Sequence, residues 1–443
     1  MVDKRIFSGQ EKLFSTLSEM LNPKHPLYKL ADEILWEELE DAFLPHYSHT
    51  GRRAKPIRLM VSLLLLKQMY DLSDESVVEQ WVQNPYFQYF SGEETFRWDF
   101  PCASSDLVHF RHRIGEKGVQ KILEMSIKLH GQDALEKCVV ADTTVQEKNI
   151  TYPTDLKLHC KIIKRCRVIA DHEGILLRQS YVRIEKELLL AQRFKKNPKT
   201  YKKAVKAQRK LRTIATRLSR ELSRKLPEDR RYCYQSELDL FAKVLRQKKT
   251  DQNKIYSLHE PEVYCMSKGK EHKKYELGSK VSFLVTAHSG IITGAVSFAK
   301  NEYDGHTLAA ALQQYNELTG KVPHEVIADR GYSGKKSVGE TAITIPGKRK
   351  QGLTAYEKST LRKKFRRRSS IEPIIGHLKS DTRLGRNYLK GRIGDMINAM
   401  LAAAAFNLRK WMRRFFAAFT VVLQIYQHRY WKQKYMAASI ARF

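Results

Sequence analysis

The stretch VIADRGYSG, residues 326–334, decides how the fold is read. Val326, Ile327 and Ala328 lead to Asp329, and Arg330, Gly331 and Tyr332 then break the apolar run. A short apolar run of this kind reads as a buried strand. A carboxylate where such a strand ends is costly to bury, so it is either a cap or a ligand. The same grammar occurs upstream in CVVADTTVQEKNI (138–150), where an apolar run meets Asp142 and then two β-branched threonines. With both strands as neighbours in one sheet, the two carboxylates emerge side by side at its carboxyl end, where open α/β sheets place ligands.

Outward from these strands the pattern is that of a mixed sheet with helices. KVSFLVTAH (280–288) and IITGAVSFA (291–299) are β-branched runs separated by Ser289-Gly290, which predicts a two-residue hairpin. A helix is predicted over 306–319, then the 326–328 strand, a short strand at 342–346, a basic helix from about Thr354 and a helix over 394–411 carrying MLAAAAF. Residues 1–133 read as helices: Pro56 suits a first helical turn, Ser73 opens a helix that Pro85 stops, and Ser104 and Ser105 open another. Such a region suits a helix-turn-helix or a packing and dimerisation bundle. A helix is also predicted over 155–170. Residues 185–250 differ in kind, with 21 Lys/Arg against 7 Asp/Glu and Leu and Ala at helical spacing. They read as a basic helical segment, either a solvated hairpin or a nucleic-acid-binding insertion. The order of elements gives an α/β class with a mixed sheet. The expected division is 1–133 (helical), 134–184 (first part of the sheet core), 185–255 (basic insertion), 256–411 (second part of the core) and 412–443 (basic, aromatic helical tail).

Composition narrows the partner. Eighty Lys and Arg face 48 Asp and Glu, a formal net charge of +32 over 443 residues. A surplus of that size repels itself unless a polyanion is near, and nucleic acid is the natural one. An anionic membrane is the rival. Apolar runs such as LMVSLLLL (59–66) and FFAAFTVVL (415–423) are too short to span it and read as core helices. No signal-peptide pattern is seen, and the six scattered cysteines read as reduced thiols of the cytoplasm. His159, Cys160 and Cys166 invite a zinc reading, but no second ligand pair follows at finger spacing.

Two bare carboxylates at close range repel and need a cation. In so basic a chain, Mg²⁺ held between Asp142, Asp329 and DNA phosphate is the candidate, because it takes few hard oxygen ligands and fills the rest with water and phosphate. A third carboxylate, Glu372, lies in FRRRSSIEPIIGHLK (365–379). Phe365, Arg368, Glu372 and Lys379 fall on one face of a helix, with a kink or fresh start expected at Pro373. Singly, each has an ordinary alternative: an Asp after a strand is commonly a cap, and a Glu in a basic helix a surface ion pair. The joint pattern points to phosphoryl-transfer chemistry.

That pattern resembles the DDE transposases of bacterial insertion sequences, in the insertion-sequence-four/five superfamily and nearest its five group. ADTT is similar to the first acidic motif and ADRGY to the second. Phe365, Arg368, Glu372 and Lys379 keep the spacing of the third, Tyr-x2-Arg-x3-Glu-x6-Lys, with Phe for Tyr. KKYELGSKV (273–281), NEYDGHTL around Asp304, ASSDLVHFRHRIG and the late MINAMLAAAAFNLRK helix fit as well, so the resemblance covers about residues 40–411.

It implies an RNase H-like core in which Asp142, Asp329 and Glu372 hold two Mg²⁺ ions, or Mn²⁺ in their place, with the long basic helical insertion between the first two carboxylates and an all-α N-terminal domain ahead of the core. The expected activity is metal-dependent cleavage of double-stranded DNA at the element's terminal inverted repeats and strand transfer into target DNA. A homodimer on DNA, near the nucleoid, is expected. Arg368, Lys379, Arg330, Lys273 and Lys274 are expected to contact DNA, and Asp304 and His306 either support the site or serve as helix-start residues. A nuclease without strand transfer and a DNA-binding protein that no longer cuts stay open. An RNA-binding role is weakened by the lack of aromatic sheet motifs.

Overall fold

The apolar run 138–141 opens strand β1 (Cys138–Lys148), the centre of a mixed sheet. The computed structural model describes residues 16–47, 54–248, 250–267, 274–334, 336–346 and 354–440, with side chains up to Phe415 in the last helix. The other strands are β2 (Tyr264–Ser267), β3 (Tyr275–Thr286), β4 (Ile292–Phe298), β5 (Glu325–Ile327), β6 (Ser337–Val338), β7 (Thr341–Thr344) and β8 (Arg386–Asn387). Across the sheet the order is β2-β3-β1-β5-β7-β6, with β4 also paired to β3 and β8 to β1. β1, β5 and β7 are mutually parallel, whereas β3–β4 and β6–β7 are antiparallel. This arrangement is consistent with an RNase H-like fold.

The helices are α1 (Leu17–Met20), α2 (Pro26–Glu33), α3 (Trp36–Phe43), α4 (Ile57–Met69), α5 (Asp74–Gln83), α6 (Pro85–Phe90), α7 (Ser104–Lys128), α8 (Asp155–His172), α9 (Val182–Leu190), α10 (Pro198–Lys225), α11 (Glu228–Arg246), α12 (Asp304–Thr319), α13 (Ala355–Arg368), α14 (Ile371–Asp381) and α15 (Gly391–Ile440). The chain divides into two compact units, one holding residues up to Glu147 and from Ser279 onward, the other Lys148–Gly278.

In the first unit, period-2 alternation of the strands builds two cores. Val140, Phe283, Val285 and Ile327 face one side and join α4, α7, α14 and α15. Val139, Ala141, Leu284, Val326 and Ala328 face the other and pack on Leu308, Ala311, Leu312 and Tyr315 of α12. The small run Ala402–Ala405 in α15 is fully buried and lets that helix lie close to its neighbours. Among the described residues, strand β4 pairs with β3 alone. Its outer edge is met by side-chain amides: Asn407 exchanges two hydrogen bonds with Ile292, both 2.9 Å, and Gln314 accepts from the Ala295 amide at 2.6 Å. A second amide network ties the N-terminal helices to β1. The Gln68 amide donates to the Thr382 carbonyl, Asn398 donates to Gln146 at 3.0 Å, and Gln146 donates to the Asp395 carbonyl at 2.7 Å.

In the second unit, α10 buries Ala207, Leu211, Ile214, Leu218 and Leu222 against Ile162, Ile163, Cys166 and Ile169 of α8 and Phe241 of α11. The unit is wider than the 185–255 segment read from charge alone. Helix α8 belongs to it because its apolar stripe is buried on α10 rather than on the sheet. Cys160 and Cys166 are part of this apolar core, and burial raises their thiols to about 11 and about 12.

Three sequence expectations are corrected here. The hairpin between β3 and β4 has a longer loop than two residues: Thr286 and Ile291 close it, Gly290 adopts φ +64°, and the Glu136 carboxylate accepts from the His288 and Ser289 amides at 2.8 and 2.6 Å. β1 does not end at Asp142 but runs on to Lys148, because its later residues remain paired in the sheet. The helix expected over 394–411 extends into the tail, to Ile440, with no break at 411. Among the described residues, no helix is long and apolar enough to cross a membrane.

One buried charge cluster fastens the N-terminal helices. Asp74 at the start of α5 receives a two-pronged pair from Arg111 at 2.8 and 2.7 Å and the Lys67 ammonium at 2.7 Å. Removing the carboxylate leaves two buried cations unpaired, so Asp74→Ala is expected to cost about 3–5 kcal/mol in denaturant melts. Burial, reinforced by Arg111, outweighs the attraction of Asp74 and lowers Lys67 from 10.5 to about 8. The folded chain then binds fewer protons than the unfolded one across that window, so this group adds stability as pH rises from 8 to 10.5. Lys67→Met should flatten that part of the stability–pH curve.

Candidate active site

β1 and β5 pair in parallel with Cys138 opposite Glu325, Val139 opposite Val326 and Val140 opposite Ile327. Each pair is separated by the same number of residues, and continuing that register two steps sets Asp142 opposite Asp329. Neighbouring strands lie about 4.8 Å apart, so the chain passes through Asp142 and Asp329 at the same end of this strand pair. Asp142 sits inside β1, at the level where its shorter neighbour β5 has stopped. Asp329 lies two residues past β5 and caps a single 3₁₀ turn, Arg330–Tyr332, by accepting from the Gly331 amide at 2.8 Å. It therefore serves as a cap. Asp142 likewise accepts from the next amide, Thr143, at 2.7 Å.

By strand alternation Asp142 shares a face with Val140 and Gln146, the face on which α15 packs. Helix α14 is anchored on the same side, since its Ile371 and Leu378 share a core with Val140 and Ile327. Glu372 follows Ile371 at the start of that helix. Its side chain is 60% exposed and forms an ion pair with Arg368 at 3.0 Å. The fresh helix start comes at Ile371, two residues before Pro373, which has no amide hydrogen to return to Ser369. Ser369 and Ser370 keep helical dihedrals, so Arg368 at the end of α13 and Glu372 on α14 still share a face. Phe365 packs against the apolar core, where an aromatic ring without a hydroxyl fits.

The donors at the two strand positions are hard carboxylate oxygens, which fit a hard divalent cation. Among the described residues, no three His, Cys, Asp or Glu side chains come together around one metal position. The structure thus puts Asp142 and Asp329 at the same end of the β1–β5 pair and holds Glu372 in its pair with Arg368.

Asp304, the first residue of α12, reaches this site as well. It accepts from the Thr143 hydroxyl at 2.8 Å and forms an ion pair with Lys280 at 2.5 Å. Tyr332 is buried beside it, its phenol pushed well above the usual range by burial and then by the charges of Asp142 and Asp304. Sequence reasoning weighed Asp304 only as a supporting residue and missed Lys280 and Thr143. Lys280 lies within β3, and its ion pair becomes visible only once α12 is placed beside the strand. His306 is exposed and stacks edge-on against Tyr303.

The expected cationic residues are dispersed. Arg330 donates to the Pro346 carbonyl at 3.2 Å, Lys379 is half-buried on α14, and Lys274 is exposed just before β3. Lys273 lies outside the described residues. A denser cationic surface belongs to the second unit. Along α10, residues 199, 202, 206, 210, 213, 217, 220 and 224 are all exposed, and seven of the eight are Lys or Arg. At about 100° per residue they lie within about 40° of a line through Lys206, so they form one straight stripe roughly 38 Å long. Glu221, the helix's one acid, lies off that line, bonded to Lys225 and the Arg178 amide. Beside the stripe is an open groove of about 1580 Å³, with Arg217, Arg220, Arg224 and Arg246 in its walls.

Comparisons with known proteins give the same direction. Residues 15–113 match the family described as a transposase domain (DUF772), and residues 242–408 match the family described as a transposase DDE domain. The second match takes in Lys280, Asp304, Asp329 and Glu372 and begins beyond Asp142. The chain is also similar to an uncharacterized protein, ORF8 in the nfe locus, of Rhizobium meliloti. The two are 42% identical over 193 residues, which is 42% of this chain and 93% of that protein. No solved structure matches.

Proposed function

The chain belongs to the DDE transposases of bacterial insertion sequences, enzymes of metal-dependent DNA phosphoryl transfer, and we propose that Asp142, Asp329 and Glu372 are its three catalytic carboxylates. The observation that carries this reading is the parallel register that sets Asp142 opposite Asp329, with α14 anchored on the face that Asp142 shares. The carboxylates would hold two Mg²⁺ ions, or Mn²⁺ in their place, and the bound ions would activate the attacking oxygen and stabilise the leaving one. Glu372 completes the set when it leaves Arg368. Arg368 then turns its planar fork to a DNA phosphate, and Lys379 and Arg330 add point and forked charge beside it. The substrate is double-stranded DNA: element ends are cut, and the freed 3′ ends are joined to target DNA. The helical N-terminal unit and the basic insertion would grip the ends, and two ends brought together call for a homodimer on DNA. The place of action is the chromosome, in the cytoplasm.

The decisive experiment incubates the protein with Mg²⁺, duplexes bearing its own flanking ends and a circular target, then maps cuts and joined products. Asp142→Asn, Asp329→Asn and Glu372→Gln are each expected to lower cutting by about a thousandfold or more, as loss of several kcal/mol of transition-state stabilisation requires. End binding should stay near wild type. Near-normal cutting by any one of them removes that residue from the set, and cut ends that never join the target would make the protein a nuclease.

The exposed stripe on α10 supports the insertion as a grip on the DNA backbone, since its length is close to one turn of duplex, about 34 Å. Replacing Lys206, Lys210, Arg217 and Arg220 with Ala should weaken binding of all duplexes alike. The slope of log affinity against log salt should become shallower by about 0.9 for each phosphate that is no longer neutralised. An unchanged slope, measured by fluorescence anisotropy from low to moderate salt, would show that the stripe does not touch DNA.

A further inference from the structure

The segment Glu302–Asp304 touches three strands' worth of structure around the acidic pair. The Glu302 carbonyl accepts from the Lys280 ammonium of β3 at 2.6 Å. The Tyr303 hydroxyl donates to the Ser333 carbonyl at 2.8 Å, four residues past Asp329. The Asp304 carboxylate accepts from the Thr143 hydroxyl at 2.8 Å, one residue past Asp142, and pairs with Lys280 at 2.5 Å. Gly331 shows how tightly these parts close. A methyl group at its Cα would sit 2.7 Å from Asp304 Oδ2 and 2.9 Å from Asp329 Oδ1, so both carboxylates crowd a position that carries no side chain. Lys280 is buried, and its charge has Asp304 as its partner. The pair is therefore close to neutral as a unit.

We propose that Asp304, neutralised by Lys280, is a positioning residue that fixes the spacing of Asp142 and Asp329 through Thr143 and the Gly331–Ser333 turn, and so sets how tightly the chain holds a divalent ion. The proposal rests on reading Asp142 and Asp329 as ligands. It differs from a fourth-ligand role for Asp304 in one respect: the uncharged hydroxyl of Thr143 must matter as much as the carboxylate, and removing both members of the ion pair must do less harm than removing one.

Equilibrium Mn²⁺ binding to the full chain, followed by the loss of free-ion electron paramagnetic resonance signal, tests this without relying on turnover, with thermal melting as a check on folding. Thr143→Val is expected to raise the half-saturating Mn²⁺ concentration by about tenfold or more, as loss of an outer-shell partner does, while Thr143→Ser restores it. Asp304→Asn and Lys280→Met should each weaken binding, and the double variant should recover much of the loss. Thr143→Val binding like wild type, with a normal melt, overturns the clamp. A double variant worse than Asp304→Asn alone overturns it in favour of Asp304 as a direct ligand. Asp142→Asn serves as the separate control. If it binds Mn²⁺ like wild type, the ligand reading itself fails; if it loses binding while Thr143→Val does not, only the clamp fails.

Discussion

The parallel pairing of β1 with β5 is the constraint on which the rest depends. Three hydrogen-bonded residue pairs fix the register, and everything two residues beyond them follows. A slip of one residue would carry Asp142 to the opposite face and bury it under α12, since strand side chains alternate. The two cores prevent that slip. Val140 and Ile327 have their places against α7 and α15, and Val139, Ala141, Val326 and Ala328 have theirs against α12, so each residue of the run is tied to one side. Apolar packing on both faces of a short strand pair thus sets the geometry of two charged residues that contribute nothing to that packing.

The third carboxylate is governed by different physics. Glu372 sits on a helix, and its place depends on how α13, α14 and α15 lie on the sheet rather than on a strand register. Ile371 and Leu378 seat α14 in the core, and the buried amides of Gln68, Gln146 and Asn398 fasten the turn that follows it. The side chain itself is held by Arg368, a cation that competes with any metal for the same oxygens. Glu372 thus differs from Asp142 and Asp329 in being exposed and paired with a group suited to phosphate.

Much of this was legible in the amino-acid sequence, for reasons that can be named. VIAD and VVAD are short apolar runs ending in acids, and their β-branched content and flanking turn residues identified both as buried strands. The helical spacing of Leu and Ala and the excess of cations over 185–250 identified a basic helical segment, within which α10 lies. What escaped depends on residues distant along the chain. Nothing local says that β1 continues past Asp142, because its later residues are held by strand partners. The loop after β3 is set by Glu136, a residue about 150 positions earlier. Helix α8 shows the pattern of any amphipathic helix, and only the folded chain tells which surface it covers. Lys280 and Thr143 carry no motif of their own and gain meaning from meeting Asp304.

The amides that Asn407 and Gln314 lend to β4 have a consequence for assembly. An open strand edge is a template on which another chain can add its own strand, and that is how many sheets join or aggregate. At β4 the backbone groups of Ile292 and Ala295 are already engaged, and at the opposite border β6 is two residues long. Among the described residues, these two borders thus offer little free backbone for sheet extension. Backbone pairing with a second chain at β4 would first have to displace the Asn407 and Gln314 amides.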